Sequence, residues 1–425
     1  TTQDSIMKKI VFFFLMTILI ASCHQEELSS VPDEPEGKQP VFDLSEEEVL
    51  QGCIYVKLKE EPAGEVRVRS IGNTVTTGVK VLDRAASSLK IERMERTFPY
   101  AGKFEERTRK EGLHLWYNVW FSKETSATRA ATEVAFLDGI ETAVPVPKIV
   151  SRATPETAWS LYGVRTGEWL FNDPDLSRQW YLDNPGTESW QKKGADIRLF
   201  DVWKQYNGNP AVIVAVVDGG INQEHPDLQD NLWTNPDEIP GNGMDDDGNG
   251  YVDDIHGYNF VDDNATLVPH RYGTHVAGTI GATNNNGTGI SSIAGGDGTS
   301  GSGVRLMSCQ ILKSLISIGG EVASDPFIAA AIKYGADNGA VISQNSWGYA
   351  ATRAGRNASS YINPVHKEAI DYFIKYAGCD NKGEQLDGSP MKGGIVLFAS
   401  GNANTSDPRI AAPADYEKVV AGGGI

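Results

Sequence analysis

The sequence predicts an α/β protein, a doubly wound parallel sheet preceded by a small α+β unit. Ala211 to Val217 is a continuous apolar run that ends at Asp218, as expected of a parallel strand covered on both faces. Short runs of the same kind recur at Val304 to Leu312, Ala340 to Ser343, Ile395 to Ala399 and Lys418 to Val420. Helical segments separate them, at His275 to Asn284, Asp325 to Asn338 and Asn363 to Ala377. Before residue 150 the pattern is different, with short strands and two short helices alternating.

From the N-terminus, Met7-Lys8-Lys9 precedes the apolar run Ile10 to Ile20, and Ala21-Ser22-Cys23 leads into a polar stretch. A basic start, a short apolar core and small residues before a cut describe a signal peptide, because a membrane span needs roughly 20 apolar residues. Residues 1–22 are therefore expected to be leader and signal. Ile20-Ala21-Ser22-Cys23 also resembles a bacterial lipobox, which makes Cys23 the lipidated first residue of the mature chain and the lipid its membrane anchor. The expectation is an exported protein of the cell envelope, an outer-membrane lipoprotein on its periplasmic or surface side, or a secreted one. Residues 23–50, rich in Glu, Pro and Ser, read as a flexible tether.

Residues 51–150 form the α+β unit. Cys53 to Leu58 and Leu115 to Phe121 have strand character, Val79 to Ile91 and Ala127 to Leu137 have helical spacing, and Ile140 to Val150 is extended. This order suggests a ferredoxin-like pattern. Residues 151–173, with Pro, Gly, Ser and Thr, read as a linker open to proteolysis, and residues 174–425 carry the parallel sheet.

Composition bounds the function. The chain has 425 residues, 40% of them hydrophobic, and 38 basic against 56 acidic side chains give a net charge of −18. Such acidity argues against a nucleic-acid partner, since phosphate binding needs a basic face. It suits an exported protein or one that holds cations. Cys53, Cys309 and Cys379 have no metal-type spacing and read as buried thiols.

Val216-Val217-Asp218-Gly219-Gly220-Ile221 places a carboxylate at a strand end beside two glycines that let the chain turn tightly. Alone, such an Asp is most often a turn former. It is joined, in order, by Tyr272-Gly273-Thr274-His275-Val276-Ala277-Gly278-Thr279, Asn345-Ser346-Trp347-Gly348 and Ala399-Ser400-Gly401-Asn402. Together these segments resemble the subtilisin-like serine peptidases. The resemblance runs from Asp173-Pro174 and Gln179 to Asn184 through residue 425, and it makes the 51–150 unit look like that family's inhibitory propeptide. In the family an Asp orients a His, the His deprotonates a Ser, and an Asn donates to the oxyanion. The resemblance implies that Asp218 is the orienting acid and Asn402 the oxyanion donor. It also implies that Ser346, Trp347 and Gly348 form the backbone edge on which a peptide substrate lies as an added strand.

Two departures stand out. The family's helix start reads His-Gly-Thr-His, with the first His as general base, and this chain has Tyr272 there; His275 matches the second His. A phenol with a pKa of about 10 is protonated at neutral pH and cannot accept the serine proton as an imidazole of about 6.5 does. Loss of this base alone costs roughly a million-fold in turnover in subtilisin. His270 lies two residues too early for the role. The family's Gly-Thr-Ser-Met-Ala nucleophile segment is also not met before Gly422-Gly423-Gly424-Ile425, and Gly298-Thr299-Ser300 lies in a glycine-rich loop instead. The chain as given is expected to be cut short and catalytically incompetent. The alternative is a pseudopeptidase, a peptide-binding or regulatory lipoprotein.

Asn242 to Asp254 has Asp at 245 and 247, Asn at 249 and Gly at 250, the spacing of a calcium loop in which alternate oxygens converge and Gly makes the sharp turn. Asp245, Asp247 and Asn249 are the expected side-chain ligands, Tyr251 would give its carbonyl, and Asp253 a direct or water-mediated contact. His256 stands where an EF-hand has its bidentate Glu, so the expectation is an isolated calcium loop, against an acidic solvated turn as the plainer reading.

Overall fold

The computed structural model describes residues 44–151 apart from 63, 65, 72 and 73, then 170–315, 320–322, 326–349, 361–401 and 412–422. Residues 40–425 make one compact unit. The signal, Cys23, most of the tether and Asn402 lie outside the described residues. Among those that are described, no helix is long and apolar enough to cross a membrane.

The N-terminal unit begins with strand β1 (Val49–Leu58), inside the stretch expected to be tether, and a small hairpin, β2 (Arg69–Ile71) with β3 (Thr74–Thr76). Helix α1 (Lys80–Leu89), β4 (Ile91–Arg96), helix α2 (Glu105–Lys110), β5 (Trp116–Phe121), helix α3 (Ala127–Ala135) and β6 (Ile140–Pro147) complete it. The sheet order is β4-β5-β1-β6 with every pair antiparallel, which is the ferredoxin-like arrangement. Helix α1 buries Leu82, Ala86 and Leu89, four and three residues apart, along one stripe. Ser126 caps α3 by accepting the Arg129 N–H at 3.1 Å.

Alternation along β1 sorts its side chains between two cores. Ile54, Val56 and Leu58 pack with α1 and α3, while Cys53 and Tyr55 point the other way and join the core of the C-terminal unit. β5 divides likewise, Val119 and Phe121 to the first core and Trp116 to the second. Strand β7 (Ile149–Ser151) follows as the tail of the unit.

The C-terminal unit contains helix α4 (Leu199–Trp203), β8 (Ile213–Gly219), β9 (Gly257–Asn259), helix α5 (Arg271–Gly281), β10 (Arg305–Leu315) and β11 (Gly320–Val322). Helix α6 (Ile328–Asp337), β12 (Ile342–Asn345), β13 (Trp347–Tyr349), helix α7 (Pro364–Tyr376), β14 (Ile395–Ala399) and β15 (Val420–Gly422) follow. The sheet runs β11-β10-β8-β12-β14-β15 with β9 also beside β10, and every neighbour is parallel except the β10–β11 hairpin. After β8 the chain builds outward on one side, and after β12 on the other. The switch point therefore lies at the carboxyl ends of β8 and β12, where Asp218 and Ser346 sit. Among the described residues, Cys53, Cys309 and Cys379 are buried and form no disulfide.

The outer faces of α6 and α7 are covered by the N-terminal sheet, and polar groups are buried with the join. Arg107, on α2, is 1% exposed. Its Nε donates to the Tyr372 hydroxyl, one Nη to the Cys379 carbonyl and the other to Asp337 Oδ1, each at 2.7 Å. Glu368 takes Lys57 Nζ and Trp116 Nε1, both at 2.8 Å. His366 lies between two hydroxyls, with Tyr349 at 2.8 Å from Nδ1 and Tyr55, across the join, at 3.5 Å from Nε2. The Tyr349 hydroxyl also accepts the Asn363 N–H at 3.1 Å, which ties the start of α7 to this group.

Burial pushes the His366 pKa down to about 3. An unfolded histidine titrates near 6.5, so between these values the unfolded chain holds the extra proton. The stability from burying neutral His366 is fully present above about pH 6.5 and falls by roughly 1.4 kcal/mol per pH unit as the pH drops toward the folded value. Thermal melts from pH 7 to pH 4 should therefore decline more steeply in the wild-type chain than in His366→Gln; parallel profiles would remove His366 from the account.

Candidate active site

Asp218, next to last in β8, is fully buried, and its Oδ1 accepts the Gly219 N–H at 2.7 Å. The first turn of α5 is pressed against this strand end. A Cβ on Gly219 would run into the His270 ring, and one on Gly273 into the Gly219 carbonyl, so glycine is required on both sides of the contact. The backbone N–H of His270 donates to the Gly220 carbonyl at 2.8 Å and fixes the approach.

Helix α5 starts at Arg271, four residues before the expected His275, because His270 serves as its N-cap: Nδ1 accepts the Tyr272 N–H at 3.3 Å. The His270 ring is buried over Gly219, its pKa lowered by burial and by the charge of Arg271. Tyr272 follows it into the interior, and its hydroxyl accepts from Arg271 at 3.0 Å while the guanidinium lies 4.6 Å over the ring. His275, one turn on, is exposed. The structure thus brings Asp218, His270 and the Tyr272 position to one strand end and leaves His275 outside it.

The Ser346–Gly348 edge is occupied. Strand β13 pairs antiparallel with β7, Trp347 opposite Ser151, Gly348 opposite Val150 and Tyr349 opposite Ile149. The tail of the N-terminal unit lies where a substrate strand was expected. Trp347 offers only its backbone to that edge, since its indole is fully buried on Phe398 and His366 and donates to Asn345 Oδ1 at 3.2 Å. Ser346 Oγ accepts from Gln344 at 3.2 Å. On the neighbouring strand β14 the chain is held just short of Asn402, by Ser400 N–H to the Gly422 carbonyl at 2.8 Å.

In the acidic loop, carboxylate oxygens of Asp245 and Asp247 converge with one of Glu238, all within 4.8 Å of one another. Two oxygens on one calcium ion, each at 2.3–2.6 Å, are at most about 5 Å apart, so one ion can touch all of these residues. Glu238 lies outside the loop and was not legible from its spacing. Its Oε1 accepts the N–H groups of Asp246 at 2.9 Å and Asp247 at 3.2 Å, which aims the side chain into the loop. Oε2 is buried and has no hydrogen-bond partner, the kind of orphaned anionic atom that a cation would satisfy. Burial, with the neighbouring carboxylates, raises the pKa of both Glu238 and Asp247.

The other residues expected at the ion also make hydrogen bonds or packing contacts of their own. Both Asp253 oxygens accept backbone N–H groups, from Asn242 and Gly243 at 3.0 Å, and hold the loop closed instead of joining the group. Asn249 Oδ1 accepts the Tyr251 N–H at 2.8 Å, and its amide donates to Asp247 at 3.2 Å and Asp254 at 3.0 Å. The Tyr251 ring packs edge-on against Tyr258, Phe260 and Tyr334, so its side chain belongs to the core.

Residues 209–425 match the Subtilase family and residues 54–186 the N-terminal region of the Subtilase family. Subtilisin-like protease 1 of Plasmodium vivax is 38% identical over 134 residues, covering 31% of this chain and 19% of that protein. Fervidolysin of Fervidobacterium pennivorans is 28% identical over 249 residues, covering 56% of this chain and 27% of that protein. Its crystal structure, described as that of a keratinolytic enzyme related to subtilisin, superposes with a TM-score of 0.51 over 89% of this chain and 44% of its own, at 19% identity. The chain spans about a fifth to a quarter of the length of these two relatives. With a catalytic-domain match over just over half of its 425 residues, preceded by the matching N-terminal unit, the chain belongs to the subtilase family.

Proposed function

We propose that the chain is the precursor of an exported subtilisin-like serine endopeptidase, with its N-terminal unit as intramolecular inhibitor and with peptides or proteins as substrates. The observation that carries this reading is β7 on β13, a substrate-like strand supplied by the chain itself. In the family's chemistry a strand-end Asp orients an imidazole that takes the serine proton, and an Asn amide receives the oxyanion. Asp218 and Asn402 are the residues for the first and last of these roles, and position 272 is the place of the base. A buried tyrosine hydroxyl that accepts from Arg271 offers no imidazole nitrogen there, so proton transfer fails while Tyr272 stands.

That same observation favours a second reading, a pseudopeptidase that keeps the peptide-binding edge as a regulatory lipoprotein. The two separate on the full-length gene product. With Tyr272 it should show no hydrolysis sensitive to a serine-directed covalent inhibitor, and Tyr272→His should raise turnover by several orders of magnitude. Ordinary inhibitor-sensitive turnover with Tyr272 in place would sink the claim that Tyr272 blocks proton transfer and the pseudopeptidase reading with it, and no gain from Tyr272→His would favour the pseudopeptidase.

Glu238, Asp245 and Asp247 are the residues to hold a structural calcium ion, which would supply the positive charge that three converging carboxylates lack. Chelation should lower the melting temperature of the wild-type chain by several degrees and leave Glu238→Gln unmoved. An identical melt with and without chelator removes the site. The lipobox reading places the protein on a membrane through Cys23, so Cys23→Ser should shift it from the membrane to the soluble fraction; unchanged partition overturns the anchor.

A further inference from the structure

The N-terminal unit and the acidic loop touch directly. Gly102 has φ +47°, and a Cβ on it would overlap the Gly248 carbonyl; a Cβ on Gly250, at φ +98°, would lie 2.5 Å from the Tyr100 carbonyl. Two loops thus meet backbone to backbone, and side chains are excluded from both sides of the contact. The Lys103 carbonyl accepts from Asn381 at 2.9 Å, which fixes the chain beside this contact. From there the Lys103 ammonium reaches 3.4 Å from Asp237 Oδ2 and 3.6 Å from Asp247 Oδ2. Asp247 is a member of the Glu238, Asp245 and Asp247 group, and its side chain is only 2% exposed.

We propose that Lys103 and a divalent cation compete for this carboxylate group, so that the docked N-terminal unit weakens cation binding and the cation weakens docking. The inference rests on the calcium reading above and adds to it a partner for the site. An ion bound to Asp247 at about 2.4 Å would lie within about 6 Å of the ammonium. Repulsion between a single and a double positive charge at that separation is worth about tenfold in affinity in water and about threefold once physiological salt screens it. Linkage makes the effect reciprocal, the same factor acting on docking of the N-terminal unit. In the cation-free chain Lys103 neutralises part of the charge on Asp247; when an ion arrives, the ammonium can swing to Asp237 alone, and the dock loses that contact.

Calorimetric titration of the whole chain with calcium chloride tests this. Lys103→Met, which keeps the stem and removes the charge, should lower the Kd for calcium by about three- to tenfold, while Lys59→Met, which removes an exposed lysine paired with Asp138, should leave it unchanged. Equal Kd values for Lys103→Met and wild type overturn the competition and leave the calcium site standing. Absence of calcium heat in both overturns the site and the competition together. Hydrogen exchange gives a second measurement that needs no variant. Calcium should raise amide exchange across residues 99–103 and 149–151, and slower exchange there would contradict the proposal.

Discussion

The buried contact between Arg107 and Asp337 is the constraint on which the arrangement of the two units depends. A guanidinium that is 1% exposed tolerates only positions in which its donors are met, and Asp337, Tyr372 and the Cys379 carbonyl meet them from α6, α7 and the turn after α7. Lys333, one turn earlier on α6, shares Asp337, so the acid keeps a counter-charge from its own helix. Replacing such a group by an apolar one could be neutral in energy, but shifting the two units by a residue would strand it. Register between the units is thereby fixed, and with it the placement of β7 on β13 and of Lys103 on the acidic loop. Charge complementarity acts in the same sense: Lys57, Lys103 and Arg107 of the smaller unit face Glu368, Asp247 and Asp337 of the larger.

Much of the fold was legible because it follows from burial on two faces. The run from Ala211 to Val217 can be placed only in the middle of a sheet, and β8 is flanked by β10 and β12. Helix α7 was found nearly to the residue, and in the structure Asn363 caps it and Pro364 opens it. Helix α5 starts earlier than its apolar spacing suggests because its cap is a histidine, outside the usual set of Ser, Thr, Asp and Asn. The strand expected at Lys418 to Val420 slides to Val420–Gly422, where pairing with β14 sets the register.

The candidate site divides along the same line. Asp218 and the Ser346–Gly348 edge announce themselves because local turn chemistry and order along the chain carry them. The strand that fills the edge does not, since three residues at 149–151 pairing with three at 347–349 leave no periodic signal and depend on contacts across nearly two hundred positions. Glu238 escaped because calcium-loop spacing speaks only of residues inside the loop, whereas the fold brings a carboxylate from the preceding turn. Asp253 was read as a ligand by spacing alone; its φ of +55° turns it back onto the loop's own amides. The net charge of −18 is thus partly spent on internal bonds that hold turns together and is not all available to solvent or ions.

The two-sided burial of the N-terminal sheet bears on what becomes of that unit once it is detached. One face keeps its core under α1 and α3, but the other returns Cys53, Tyr55, Trp116, Val144 and Val146 to water. Exposing each large apolar side chain costs roughly 1.5–3 kcal/mol, and a contiguous aromatic face of this kind invites aggregation or degradation. Separation of the units therefore costs the apolar burial of a whole sheet face, and the docked arrangement is favoured by that much.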